Sequence, residues 1–310
     1  MKFSEKKVLI IWGLALGLFF NQARARDISP QEHHNRKLLI IAIDGMDSRW
    51  VNQDVTPFIY SLRQGGSSTL SMRNVTPTIT APNFTSILTG TLPSVHQIFD
   101  NEWSPESGIT PPKSVFDLFE QESEKVLIIS DDWDFYQNAF ARAPRPTYPS
   151  VVVKRVRHDN PGYLKTAKET VDIAAKTIAE NKPNLAFLYL QHVDHIGHTS
   201  FWGSAEYIDA LSQTDRWLQD LIQRIDTDGS YHIMVITDHG GAGNHHANGD
   251  LNENVRNIPF VAYGPAFHKD HQISPSRTTQ IAPTVAHLFG QPPLESWQDH
   301  GLTGIFKPVR

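Results

Sequence analysis

Asp44, Thr80, Asp194, His198, Asp238, His239 and His246 each follow a short hydrophobic run along this chain of 310 residues. The local strings are LLIIAIDG (Leu38–Gly45), TPTITAPN (Thr76–Asn83), LAFLYLQHVDHIGH (Leu185–His198) and HIMVITDHGGAGNHH (His232–His246). An apolar run ending in an acid or an Asp-His pair places oxygen and imidazole ligands at a strand's carboxyl end. Open α/β sheets build their sites there. Three aspartates, three histidines and one hydroxyl are about what two zinc ions in open catalytic coordination need. A single strand-end aspartate is more often a helix cap, and "DHG" is frequent by chance. The weight lies in the agreement of types, order and flanks.

Those four strings resemble the alkaline phosphatase superfamily and, within it, the type I phosphodiesterase/nucleotide pyrophosphatase family. The resemblance runs from about Leu38 to about Pro293. It takes in TSILTGTLPSVHQIFDNEW (Thr85–Trp103), NIPFVAYGP (Asn257–Pro265) and QIAPTVAHLFGQPP (Gln280–Pro293). The last is similar to the family's closing D-I-A-P-T helix, with Gln280 in place of the acid. The fold so implied is α/β and alkaline phosphatase-like, a mostly parallel central sheet with helices on both faces and a small cap or loop insertion.

The resemblance also implies roles. Asp44, Asp238 and His239 would hold one divalent ion beside Thr80, and Asp194, His198 and His246 a second, most simply both zinc. Asp194 and His198 stand four residues apart, which brings them to one side of a helical turn. His245 is adjacent to His246 and leaves the register of that ligand open by one residue; counting from Gly240-Gly241 favours His246. The two glycines would let the backbone turn tightly and leave room for substrate. Thr80 would be the nucleophile. A threonine hydroxyl is barely ionised at neutral pH and needs an activator. Thr80-Ala81-Pro82-Asn83 puts it at the mouth of a predicted helix whose free N–H groups would face phosphoryl oxygens, with the Asn83 amide as a further substrate donor. The reaction implied is phosphoryl transfer by two in-line displacements through a phosphothreonine.

Other readings are set against this one. A phosphomonoesterase would need an extra cation for the additional charge. TPTITAPN contains no Lys or Arg, and Ile79 stands where many relatives carry lysine, which favours diesters. A sulfatase is disfavoured because no cysteine occurs and no Ser-x-Pro-x-Arg string is present. Phosphoethanolamine transferases of the superfamily carry membrane helices that this chain lacks. A metal-binding relative without turnover is the alternative from outside enzymology, and the intact Thr80 argues against it.

Positioning these residues requires alternating strands and helices. Strands are predicted at Leu38–Ile43, Val126–Ile129, Leu185–Leu190, Ile233–Ile236 and Phe260–Tyr263. Helices are predicted at Thr56–Arg63, Pro82–Leu88, Ser114–Gln121, Tyr163–Glu180, Ala205–Ile225 and Thr279–Leu288. Asp134–Arg157, with Pro144, Pro146 and Pro149, reads as the loop or cap over the site. Phe84, Trp103, Trp133, Phe135, Tyr136 and Trp202 are aromatic candidates for a leaving-group wall. Residues 1–25 read as a signal peptide: a lysine-rich start, an apolar run Val8–Phe20 shorter than the roughly 20 residues of a membrane span, and Ala23-Arg24-Ala25. The catalytic domain would then be 26–310, exported to a periplasm or secreted, with no stable membrane anchor. A net charge of −5 speaks against a nucleic-acid polymer as partner and for a small phosphate ester.

Overall fold

The computed structural model describes residues 35–102, 112–119, 125–131, 163–246 and 252–308. Strand β1 (Lys37–Ile43) lies inside the sheet, and its run LLIIAI is apolar on both faces because both are covered. Leu38, Ile40 and Ala42 pack into the core on one side of the sheet, and Leu39, Ile41 and Ile43 into the core on the other. The remaining strands are β2 (Ser67–Arg73), β3 (Val126–Ser130), β4 (Leu185–Leu190), β5 (Tyr231–Ile236), β6 (Asn257–Tyr263) and β7 (His271–Gln272). Their order across the sheet is β3-β4-β1-β5-β6-β2-β7.

β3, β4, β1 and β5 are mutually parallel. β6 runs antiparallel to both β5 and β2, so the sheet is mostly rather than wholly parallel. Because β6 reverses and β2 reverses again, the carboxyl end of β2 lies at the same edge as those of β1, β4 and β5. The register then sets the site. Ala42 pairs with Ile236 in β5 and Ile43 with Leu190 in β4. Two residues beyond the first pair come Asp44 and Asp238, side by side.

The helices are α1 (Pro57–Gly65), α2 (Thr80–Thr89), α3 (Pro93–His96), α4 (Tyr163–Asn181), α5 (His192–Ser200), α6 (Ala205–Ile225), α7 (Glu253–Arg256) and α8 (Ile281–Leu288). On α6, Tyr207, Ala210, Leu211, Thr214, Leu218 and Leu221 form the buried stripe, and the Ser204 hydroxyl caps it by accepting from Tyr207 N at 3.1 Å. Asp215 is buried on the same face for another reason. Its carboxylate accepts the N–H groups of Phe58 (2.9 Å) and Ile59 (2.8 Å) in the first turn of α1, locking the two helices together.

The structure corrects the sequence expectation in three places. Ser114–Gln121 is not an α-helix where described; it holds a single 3-10 turn, Val115–Leu118. β2 and β7 were not predicted: SSTLSMR lacks an apolar run, and the buried Ser67 hydroxyl is instead satisfied by the His268 carbonyl. α5 was not among the predicted helices, although the Asp194–His198 spacing gave the helical turn that carries both. Residues 1–25 and the Asp134–Arg157 insertion lie outside the described residues. No helix among the described residues is long and apolar enough to cross a membrane.

Three histidines away from the ligand set are buried and neutral. His96 is wedged between Ser86 Oγ and the Ile98 N–H, His192 bonds Thr214 Oγ1, and His232 accepts from Ala266 N. Burial lowers each from 6.5 to about 4. A depressed folded-state value means protonation favours the unfolded chain. Their contribution is therefore complete above pH 6.5 and is lost as pH falls towards 4. Urea unfolding at pH 7 and pH 5, with chelator present at both, should show a loss on the order of 2 kcal/mol per histidine. His192→Gln should remove one such share.

Candidate metal centre

β1 delivers Asp44 and β5 delivers Asp238 and His239, all fully buried. The Tyr189 hydroxyl from β4 hydrogen-bonds one Asp44 oxygen, Oδ2. The other, Oδ1, faces His239 Nε2 at 3.5 Å, while Asp238 Oδ2 lies 3.0 Å from the same nitrogen. Asp44 Oδ1, Asp238 Oδ2 and His239 Nε2 are buried atoms without a hydrogen-bond partner. Buried polar atoms are rarely left so. Ligand atoms around one tetrahedral ion at about 2.1 Å stand about 3.4 Å apart, and these three fit that spacing.

α5 supplies Asp194 from its first turn and His198 from its last. Asp194 Oδ1 is 3.6 Å from His198 Nε2, 3.9 Å from His246 Nε2 and 4.0 Å from His239 Nε2. His198 Nε2 and His246 Nε2 are 3.2 Å apart. The rings of His239 and His246 stack, with centroids 3.5 Å apart and planes 12° from parallel. His246 is buried beside Asp194, His198 and His239, whereas its neighbour His245 is exposed.

All three histidines are held in the same way. Nδ1 of His198 lies 2.8 Å from the Asn244 carbonyl, Nδ1 of His239 lies 3.1 Å from that of Gly240, and Nδ1 of His246 lies 2.6 Å from that of Thr78. A carbonyl at Nδ1 fixes the proton there and leaves Nε2 as a lone-pair donor, the arrangement usual for metal-ligating imidazoles. Three Nε2 atoms and three carboxylates thus converge on one small volume.

Their electrostatics are those of a ligand set in need of positive charge. Burial first, then the charges of Asp238 and Asp194, hold the Asp44 carboxyl well above its usual range. Burial also acts to raise Asp238, but the neighbouring His239 outweighs it and holds Asp238 below its ordinary value. His239 is raised, with Asp238 outweighing burial. His246, buried and next to His239, is pushed down to about 3. Cations would relieve the carboxylate repulsion, and the residues present fit them. The two groupings seen in space are Asp44, Asp238 and His239, and Asp194, His239 and His246, with His198 beside the second.

Thr80 is the first residue of α2, half-buried and preceded by Ile79 in an extended conformation. The segment before it is tied to the ligands, since Thr78 Oγ1 donates to the His246 carbonyl at 2.6 Å. Two expectations for this segment are corrected. Asn83 offers no donor outward: it is fully buried, its amide donates to the Pro77 and Ile79 carbonyls, and its oxygen accepts from Val75 N. It shapes the loop that presents Thr80. The helix mouth is also less open, because Ala81 N donates to Asn101 Oδ1 at 2.9 Å and Pro82 has no N–H. Asn101, whose amide nitrogen this bond leaves beside Thr80's turn, was not singled out in the sequence. Only its place in the string after α2 could have pointed to it.

The surroundings correct a third expectation. Gly240 and Gly241 do not leave space for substrate. A Cβ at Gly240 would lie 2.1 Å from the Asn254 carbonyl oxygen, and one at Gly241 2.0 Å from the Trp202 ring. Trp202 also fills the space over Gly197 and donates its indole N–H to the Gly45 carbonyl at 2.9 Å. Its edge meets His198 and His246, so it is a wall behind the ligands. Gly45 itself needs φ +66°, and the Tyr207 hydroxyl adds a second bond to its carbonyl. The buried Asp47 grips Arg49, whose guanidinium reaches the Gly241 carbonyl at 3.2 Å. None of these braces was legible beforehand. Phe84 is core, edge-on to Tyr189; Trp103, Trp133, Phe135 and Tyr136 lie outside the described residues.

A mostly parallel α/β sheet carrying this ligand set at the carboxyl ends of its strands defines an alkaline phosphatase-like protein. The chain belongs to the type I phosphodiesterase/nucleotide pyrophosphatase family, whose model matches residues 38–259. It is 26% identical over 259 residues to mouse ectonucleotide pyrophosphatase/phosphodiesterase family member 1, covering 76% of this chain and 28% of that protein. To rat family member 7 it is 26% identical over 261 residues, covering 76% of this chain and 58% of the relative. The chain therefore spans less than two thirds of the length of either relative, 28% and 58%. Among solved structures, murine ectonucleotide pyrophosphatase/phosphodiesterase 5 superposes with a TM-score of 0.61 at 16% identity, covering 88% of this chain and all of that one. A 2-O GAG sulfatase reaches 0.68 at 12%, covering 86% of this chain and 73% of its own. These last two likenesses are of fold.

Zinc titration with metal analysis at saturation should give two equivalents per chain. His246→Ala should reduce this to about one, and His245→Ala should leave it at two. One equivalent at most in the unmodified protein, or the opposite pattern in the two variants, would refute the ligand assignment.

Proposed function

We propose that this chain hydrolyses phosphate esters, phosphodiesters or pyrophosphates in particular, with Thr80 as nucleophile and two divalent ions, zinc by donor chemistry, as cofactors. The observation that carries the reading is the common seating of three imidazoles on backbone carbonyls, which turns three Nε2 atoms towards Asp44, Asp194 and Asp238. When bound, the ions supply charge neutralisation at phosphorus and lower the pKa of a coordinated hydroxyl or water. Asp44, Asp238 and His239 would hold one ion, the one that activates Thr80, and Asp194, His198 and His246 would hold the other.

The chain's own residues do the rest. The Thr78–His246 pair of hydrogen bonds and the Asn83 amide fix the turn that presents the Thr80 oxygen. That oxygen forms a bond to phosphorus as the bond to the leaving oxygen breaks, giving a phosphothreonine that water hydrolyses in a second displacement. The Asn101 amide, oriented by Ala81 N, donates to a phosphoryl oxygen in the place first expected of Asn83. An inactive threonine-to-alanine variant of murine ectonucleotide pyrophosphatase/phosphodiesterase 5 has been solved in complex with AMP, which fits this reading. The leader-like pattern in residues 1–25 supports export to a periplasm or secretion. A phosphomonoesterase on the same site is the second reading.

Thr80→Ala should cut turnover of a nitrophenyl phosphodiester by about 10⁴-fold or more while metal content holds. Thr80→Ser should retain part of the activity. Asn101→Ala should cost about 10² to 10³, and Asn83→Ala should act through thermal stability as well as rate. Rapid quenching with substrate labelled at phosphorus should leave label on the peptide containing Thr80. Label elsewhere, or near-normal turnover by Thr80→Ala, would reject the nucleophile.

A further inference from the structure

A cavity of about 520 Å³ opens at the same edge of the sheet, outboard of the ligand set. One wall holds three guanidinium groups: Arg73 at the end of β2, Arg256 at the end of α7, and Arg277. A backbone bridge between residues 73 and 277 keeps two of them adjacent. Leu92 and Phe99, 42% and 50% exposed, give the cavity an apolar wall. No acid is among the lining residues, in a chain whose net charge is −5. Arg73 pairs at its rim with Glu253, and Arg256 bonds the side chain and carbonyl of Asn74. Arg277 is exposed and has no acidic partner among the described residues. Each guanidinium carries five N–H donors, so these contacts leave donors on Arg73 for a ligand.

The cavity is coupled to the candidate centre through the chain. Asn74 donates to the Asp238 carbonyl at 2.9 Å, Thr76 lines the cavity, and Thr80 follows four residues later. β2 stands two strand spacings from β5, about 10 Å. Thr76, which lines the cavity, is four residues from Thr80, at most about 14 Å of extended chain, so the cavity and Thr80 are within reach of one small molecule.

We infer that this cavity is a second anion site, which binds a carboxylate, sulfate or phosphate carried by the substrate at its far end from the scissile ester. Planar guanidinium groups match such oxyanions in two-pronged fashion, and the apolar wall covers the intervening portion. The preferred substrates are accordingly phosphate esters with two separated negative groups. The inference rests on the proposed phosphoesterase activity.

The test compares two nitrophenyl phosphodiesters that differ only in whether the second alcohol ends in a carboxylate or in a neutral amide. The ratio of their kcat/KM values should favour the carboxylate in the unmodified protein. It should fall by about ten-fold or more in Arg277→Gln and in Arg73→Gln, with partial recovery in Arg277→Lys. A ratio unmoved by both glutamine substitutions overturns the inference. Should neither ester be turned over, the phosphoesterase reading fails, and the cavity is then judged by equilibrium dialysis of metal-loaded protein with labelled inorganic phosphate. Bound phosphate should fall by one equivalent in the Arg73→Gln/Arg277→Gln double variant; unchanged stoichiometry again overturns it.

Discussion

Two carboxylates and an imidazole, Asp44, Asp238 and His239, are forced together because β1 and β5 are parallel neighbours in one register. α5 and the segment before α2 bring Asp194, His198 and His246 against them. The β1–β5 pairing sets Asp44 beside Asp238, and among the described residues His239 is the counter-charge placed against both. Tyr189 satisfies one oxygen of Asp44, and the His239 ring sits between the two acids, yet Asp44 is still pushed towards its protonated form. Burying like charges at this range is expensive unless a cation shares the site. The braces around the site, Trp202 and Tyr207 on Gly45 and the Asp47–Arg49 pair on Gly241, keep the strand ends from spreading to relieve the repulsion. The site is therefore held in a geometry that favours metal by the rigidity of what surrounds it.

How the sequence specifies this differs from part to part. β1, β4 and β5 were legible because a strand covered on both faces must be apolar throughout, and such runs are rare outside cores. The acids that follow them were legible from the agreement of types, order and flanks across the four strings, not from any single strand-end aspartate. β2 was illegible for the opposite reason: Ser67, Ser68 and Thr69 are buried, with Ser67 bonding the His268 carbonyl, so burial left no hydrophobic trace. The direction of β6 could not be read from PFVAY, which is equally apolar either way round.

Asn83 and the two glycines show a subtler limit. Residue type indicated that Asn83 would donate to substrate and that Gly240-Gly241 would leave room for it, and in both cases the protein itself takes the place expected of the substrate. What type cannot give is the partner. Asn83 spends its donors on the loop behind Thr80, and the space over the glycines belongs to Trp202 and the Asn254 carbonyl. Partners are set by tertiary neighbours distant in sequence, so Asn101, Arg73 and Arg277 gained meaning only once β2, α2 and the segment before α8 were brought to one edge.

Trp202 is held over Gly197 on one side and Gly241 on the other, with its indole N–H fixed to Gly45. The three positions share one volume. No carbon can be added at either glycine while the ring is present, and removing the ring leaves a void that both could fill only together. Substitution at these sites is thus constrained as a set rather than singly, and a viable exchange must be concerted across the helix, the loop and the ring between them.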